Sequence, residues 1–283
     1  MRRRRQTLGA LLGVGMWLAC LISPQPGLAK ISCQQNTEEG VLSISVTGET
    51  FAGVRRSGDA IAVFDVISGK RGCETGATVT NTDRIKLFAA REASASIELK
   101  KGPFAPGLST DEDAFPEIEF EVSGPGFVEV IGGAGPEHFQ FMEEGSESGV
   151  NLNPDEDQDL DVAVSRAWRI KMLFVVNGGA GADRIDAAGK PALEMFATGG
   201  DGNDILLAAP TGAILDGERG NDQLLGSGAF DFLVPGRGAD RVVAKGGSDL
   251  IEMKPDGSRD RIDCGSGRDE VARGDKFDRL RSC

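Results

Sequence analysis

Aspartates recur through the last third of this chain at a fixed step. Asp222, Asp231, Asp240 and Asp249 lie nine residues apart, an eleven-residue step leads to Asp260, and the nine-residue step resumes at Asp269 and Asp278. Upstream, Asp204 precedes Asp222 by eighteen residues with Ala213 at the intervening step, and Asp183 opens the series after a slip of three. Two residues after each step comes an aliphatic: Ile185, Leu206, Leu215, Leu224, Leu233, Val242, Ile251, Ile262, Val271 and Leu280. Carboxylates in rows repel one another, and a hard cation between them removes that repulsion. Calcium suits such a slot because it takes six to eight oxygens, backbone carbonyls included, in flexible geometry. Magnesium demands a tighter octahedron and keeps its water.

The chain offers little other chemistry. A single histidine, His138, makes a His-based metal cluster impossible. There is no G-x-S-x-G, no H-E-x-x-H and no phosphate-binding P-loop. Asp155, Asp157 and Asp159 alternate like the start of an EF-hand loop, but Leu160 stands where glycine is needed and Arg166 where glutamate is needed. That run reads as an acidic exposed loop, His138 as a surface or groove histidine, and Glu143, Glu144 and Glu147 as a solvated turn.

The elements that must position the aspartates are written in glycine, which makes up 40 of the 283 residues, about twice the usual share of ~7%. Segment 178–185 reads GGAGADRI, 199–206 reads GGDGNDIL and 217–224 reads GERGNDQL. Weaker copies follow: GSGAFDFL from 226, PGRGADRV from 235, AKGGSDLI from 244 and CGSGRDEV from 264.

This run, over about residues 178–281, resembles the hemolysin-type, or RTX, calcium-binding repeat G-G-x-G-x-D-x-U-x, where U is a large aliphatic. The resemblance implies an all-β fold with a parallel β-roll or β-helix solenoid in the C-terminal part. Six residues make a turn and three make a short strand whose aliphatic points inward. Two nine-residue units complete a coil, so Asp204 stacks over Asp222, Asp222 over Asp240, Asp231 over Asp249 and Asp260 over Asp278. It further implies calcium ions held by turn carbonyls and by aspartates of two stacked turns. The metal residues so implied are Asp183, Asp204, Asp222, Asp231, Asp240 and Asp249, with Gly200, Gly202, Gly217 and Gly220 of the turns. The plain alternative is that these aspartates are ordinary turn residues on a solvated edge. Around Asp260, Asp269 and Asp278 the turns carry Lys254, Arg259, Arg268 and Lys276, whose charges offer a substitute for ions.

Residues 1–29 read as a signal peptide. Arg2 to Arg5 are followed by an uncharged stretch from Leu8 to Ile22, short for a membrane span, and Gly27-Leu28-Ala29 places small residues for cleavage after Ala29. An uncleaved anchor and a lipoprotein on Cys20 rank below it, the latter because Trp17 stands where a small aliphatic is usual. The paired arginines are also compatible with twin-arginine export. Cleavage leaves Cys33, Cys73, Cys264 and Cys283, an even number that reads as disulfides in an exported chain. Of three possible pairings, Cys33–Cys73 with Cys264–Cys283 is favoured, since each pair lies in its own half of the chain. Similar Cys-containing endings in secreted RTX-type chains support the second pair as part of a C-terminal cap over 260–283. With no C-x-x-C spacing, a cysteine metal site is disfavoured. A net charge of −13 argues against nucleic acid as the main partner.

Residues 30–170 read as an irregular β-rich region, solenoid-like or a sandwich, that enters the array at 171–283 without a linker. Strands are expected at Val41–Val46, Ala60–Ile67, Thr78–Phe88, Ala95–Leu99, Ile118–Val122, Phe127–Ile131 and Trp168–Val176. Segment 132–141, GGAGPEHFQF, resembles a decayed repeat with Glu137 in the aspartate place. GPFAPG at 102–107 and the run from Gly149 to Asp161 are similar to N-terminal regions of secreted RTX-type chains. The expected function is that of a secreted, extracellular calcium-binding protein, structural or adhesive and not an enzyme, with no membrane span after signal cleavage. Its partners are calcium and a cell-surface or extracellular polymer. The alternative is a polysaccharide-active enzyme using paired carboxylates. A toxin or protease remnant is disfavoured, because residues 30–170 hold neither a catalytic motif nor a long apolar pore segment.

Overall fold

A computed structural model describes residues 30–48, 50–89, 93–99, 118–124, 127–144, 147–152, 161–165, 173–189, 194–272 and 274–283. The leader over 1–29, the GPFAPG phrase and Asp155, Asp157 and Asp159 lie outside these residues. So do the side chains of Glu143, Glu144 and Glu147, whose backbones lie in strands.

The described residues form strands and turns with no helix. Two long sheets dominate, one of 13 strands (sheet A) and one of 11 (sheet B), with a two-stranded ribbon beside them. From Leu173 onward every pairing within them is parallel, and successive strands alternate between the sheets. The reason lies in the nine-residue step. Three residues suffice for one strand with its middle side chain inward, and the next six must turn the chain toward the other sheet.

The aliphatics consequently form two columns. In sheet A, Ile185 pairs with Leu206, then Leu224, Val242, Ile262 and Leu280 follow in register. In sheet B the column runs Ala197, Leu215, Leu233, Ile251 and Val271. Leu206, Leu215, Leu224, Leu233 and Ile251 are fully buried, each worth about 1.5–3 kcal/mol relative to exposure.

The same two sheets continue into the N-terminal region. Strand Leu173–Ala180 pairs in parallel with Phe127–Ile131, and Arg184–Asp186 pairs in parallel with His138–Glu144. Hairpins interrupt the pattern: Lys30–Asn36 with Val41–Thr47, Phe51–Ser57 with Ala60–Asp65, and His138–Glu144 with Glu147–Leu152. Strand Phe51–Ser57 was not among the expected strands, because Gly53 breaks its apolar pattern. Gly53 sits opposite Phe64, whose ring occupies the place of the missing Cβ, a cross-strand cover for a strand glycine.

Disulfides staple both ends. Cys33 and Cys73 are bonded and lie on Lys30–Asn36 and Arg71–Cys73, the edge strands of sheets A and B. Cys264 is bonded to Cys283, which follows the last strand of sheet A, Arg279–Arg281. Arg279–Arg281 is the edge strand of sheet A, with Leu280 52% exposed while Ile262 and Cys264 before it are buried.

Candidate metal centre

The turns stack as the strands do. The amide of Gly202 donates to the Arg219 carbonyl and that of Gly220 to the Arg237 carbonyl. Gly220 needs a left-handed backbone, φ 143°, and a Cβ there would run into the carbonyl of Gly202. Gly200 and Gly202 also have positive φ. The place of Gly200 is taken in other turns by Glu218 and Lys245, which hold positive φ without being glycine.

Inside these turns the aspartates form a ladder. Each Oδ1 accepts the backbone N–H of the acidic residue one coil earlier: Glu137 to Asp183 at 2.7 Å, Asp183 to Asp204, Asp204 to Asp222 and Asp222 to Asp240 at 2.8 Å, and Asp240 to Asp260 at 2.9 Å. The amide of Asp260 extends it to Asp278. A second ladder runs from Ala213 to Asp231, Asp249 and Asp269. Ala213 thus keeps its place at the missed step, lending an amide without a carboxylate.

The aspartates are not on a solvated edge. From Asp183 to Asp260 those on the ladders are between 0 and 4% exposed, Asp269 and Asp278 being half-buried. The second oxygen of Asp183, Asp204, Asp222, Asp240 and Asp249 is buried with no hydrogen-bond partner. Asp231 differs. Its Oδ2 accepts the Ser227 N–H at 2.6 Å and the Ser227 hydroxyl at 3.1 Å. That serine stands in the one turn where Ser227 and Ala229 replace the second and fourth residues of the glycine pattern.

Two of the free oxygens share their space with a backbone carbonyl oxygen. The space a Cβ on Gly178 would fill is bordered by the Asp183 Oδ2, 2.6 Å from that point, and the Gly199 carbonyl, 2.5 Å from it. At Gly217 the corresponding space is bordered by Asp222 Oδ2 and the Pro235 carbonyl. Two acceptors converging without a donor need a proton or a cation between them.

The electrostatics follow. Burial, then the charges of Asp240, Asp204 and Asp216, push the Asp222 carboxyl up to about 8. Burial, then Asp260 and Asp256, push Asp240 to about 7. Burial raises Asp204, Asp249 and Asp260 to about 6, with neighbouring carboxylates adding to it. Asp183 and Asp231 are raised for the same first reason.

At the head of the first ladder Glu137 fills the aspartate place. Its carboxyl is pushed up to about 7 by burial and then by Asp183, and its Oε2 is buried without a donor. His138 beside it is half-buried, and burial, then the Arg184 charge, lower its pKa. Lys254, expected to substitute for an ion, instead reaches Asp216 at 3.8 Å.

No group of three or more His, Cys, Asp or Glu side chains among the described residues is arranged to hold a metal. The spaces at Gly178 and Gly217 each bring one carboxylate oxygen together with one backbone carbonyl, an all-oxygen set. Calcium accepts such a set and a thiolate- or imidazole-seeking metal does not. Sequence reasoning placed the aspartates over one another but missed the Ser227 cap and the Oδ1–amide ladder. The eighteen-residue period was the available signal for the ladder. No helix among the described residues is long and apolar enough to cross a membrane. No protein-family model matches the chain, and no curated protein matches it.

Proposed function

We propose that this chain is a secreted calcium-binding β-solenoid of the hemolysin-type repeat class, with a structural or adhesive role outside the cell and no enzymatic activity. The observation that carries the reading is the column of buried aspartates whose second oxygens have no donor. Calcium between turns neutralises carboxylates that otherwise repel across one strand spacing. Asp183, Asp204, Asp222, Asp240 and Asp249 would hold it, with the carbonyls of Gly199 and Pro235. The two disulfides agree with an oxidising, extracellular setting. At ~1 mM calcium and a Kd of ~0.1 mM, each site adds roughly 1.4 kcal/mol. A few sites then rival the stability of an ordinary domain.

A second reading has its own observation. Every Oδ1 on the ladder already serves a backbone amide, and Asp231 has both oxygens satisfied. On this reading the aspartates are metal-free structural rungs. A calcium titration of the full chain by calorimetry, with circular dichroism in calcium and in excess EGTA, separates the two. Several bound ions and a large spectral change are expected. Zero stoichiometry and an unchanged spectrum would leave the metal-free ladder.

A further inference from the structure

One turn of the array is built differently from its neighbours. In the turns that lead to Asp183, Asp204, Asp222, Asp240 and Asp249, the second residue holds a positive φ: Gly179, Gly200, Glu218, Gly236 and Lys245. Glu218 and Lys245 adopt it although a Cβ makes that conformation costly. These are the same five aspartates whose Oδ2 is buried without a donor. The turn that leads to Asp231 departs from both rules. Ser227 stands second and has no positive φ, and Ala229 stands fourth, where Gly220 and Gly238 hold 143° and 130°. With the backbone so placed, the Ser227 amide reaches Asp231 Oδ2 at 2.6 Å, and the Ser227 hydroxyl reaches it at 3.1 Å. The same hydroxyl accepts the Ala229 N–H at 3.0 Å, so the turn closes on its own serine. The oxygens themselves are arranged as elsewhere. The space a Cβ on Gly226 would fill is bordered by the Ala244 carbonyl, 2.5 Å from that point, and by Asp231 Oδ2, 2.9 Å from it. What differs is that a donor has been supplied.

We propose that Ser227 is the specificity residue of the second ladder: it fills the cation slot of its own turn and keeps Asp231 a cation-free rung. The inference deepens the calcium reading of the other turns and rests on it. A carboxylate oxygen that already accepts two hydrogen bonds has little left to offer a cation, whereas one with no donor gains most from it. Lys245, whose positive charge also acts on Asp231, works in the same direction. The two edges of the solenoid therefore differ. The first ladder, from Asp183 to Asp240, takes calcium at successive turns, while the second is held at Asp231 by serine whether calcium is present or not. Replacing Ser227 and Ala229 by glycine restores the pattern of the other turns and opens the slot.

The test is calcium calorimetry on the full chain, on Asp231→Asn, and on the double variant Ser227→Gly, Ala229→Gly, with circular dichroism to check folding. The unaltered chain and Asp231→Asn are expected to bind the same number of ions. The double variant is expected to bind one more, held more weakly than the rest because Lys245 remains. Adding Asp231→Asn to the double variant should abolish the gained ion. In EGTA the double variant is expected to melt below the unaltered chain, and calcium to narrow the gap. If the unaltered chain binds several ions and Asp231→Asn binds fewer, or the double variant folds and gains none, the proposal is overturned and the calcium reading of the other turns stands. If the unaltered chain binds none and the double variant binds one, that reading fails and the assignment of Ser227 stands. No ion in either overturns both. Should the double variant not fold, the Asp231→Asn comparison decides.

Discussion

The backbone amide of Asp204 donates to Oδ1 of Asp222, 2.8 Å away and eighteen residues later, while Oδ2 of Asp222 is buried with no donor. One carboxylate is thus half structural and half unsatisfied. Asp222→Asn keeps the acceptor for Asp204 and places an NH2 donor where the empty oxygen was. The expected outcome is a melting temperature in EGTA at least equal to that of the unaltered chain, with a smaller calcium response. Asp222→Ala removes the acceptor too and is expected to cost about 1–3 kcal/mol. Thermal denaturation of both variants with and without calcium checks this.

Acidity should act in the unusual direction. An unfolded aspartate titrates near ~3.9, whereas burial and neighbouring carboxylates hold Asp222 at about 8 and Asp240 at about 7. The folded state binds these protons more tightly. Their stabilising contribution is therefore complete below ~4 and lost as pH rises through the folded values. Without calcium, the melting temperature is expected to fall from about pH 5 to about pH 8. Added calcium should flatten that fall. A calcium-free chain most stable at about pH 8 would contradict the arrangement.

Close turn stacking predicts a contrast between two glycines. Gly220→Ala puts a Cβ against the Gly202 carbonyl at a φ of 143° and is expected to cost about 1–3 kcal/mol. Gly228→Ala meets nothing within 4 Å and should stay within about 0.5 kcal/mol. Urea denaturation of the pair measures the difference.

The Cys33–Cys73 bond joins the edge strands of the two sheets across 40 residues of chain. Loop-closure entropy for that span is about 4 kcal/mol. Replacing both cysteines by alanine is expected to lower the melting temperature and to raise hydrogen exchange first in Lys30–Asn36 and Arg71–Cys73. The Cys264–Cys283 double variant should act at the opposite end of the sheets, on Arg261–Asp263 and Arg279–Arg281.

The nine-residue step carried the C-terminal strands and turns. A turn that must reverse every six residues needs glycine or a residue tolerating positive φ, and a three-residue strand can bury only its middle side chain. Leu206, Leu224 and Val242, like Asp204, Asp222 and Asp240, could therefore be placed over one another by counting. Strand Phe51–Ser57 could not, because what completes it is the Phe64 ring over Gly53, a contact across a hairpin.

Periodicity alone established which residues share a column, because identical steps along a chain become identical places in a stack. It left open what each carboxylate touches. That Asp222 spends one oxygen on the amide of Asp204 while Ser227 satisfies Asp231 was decided by how far one turn lies from the next.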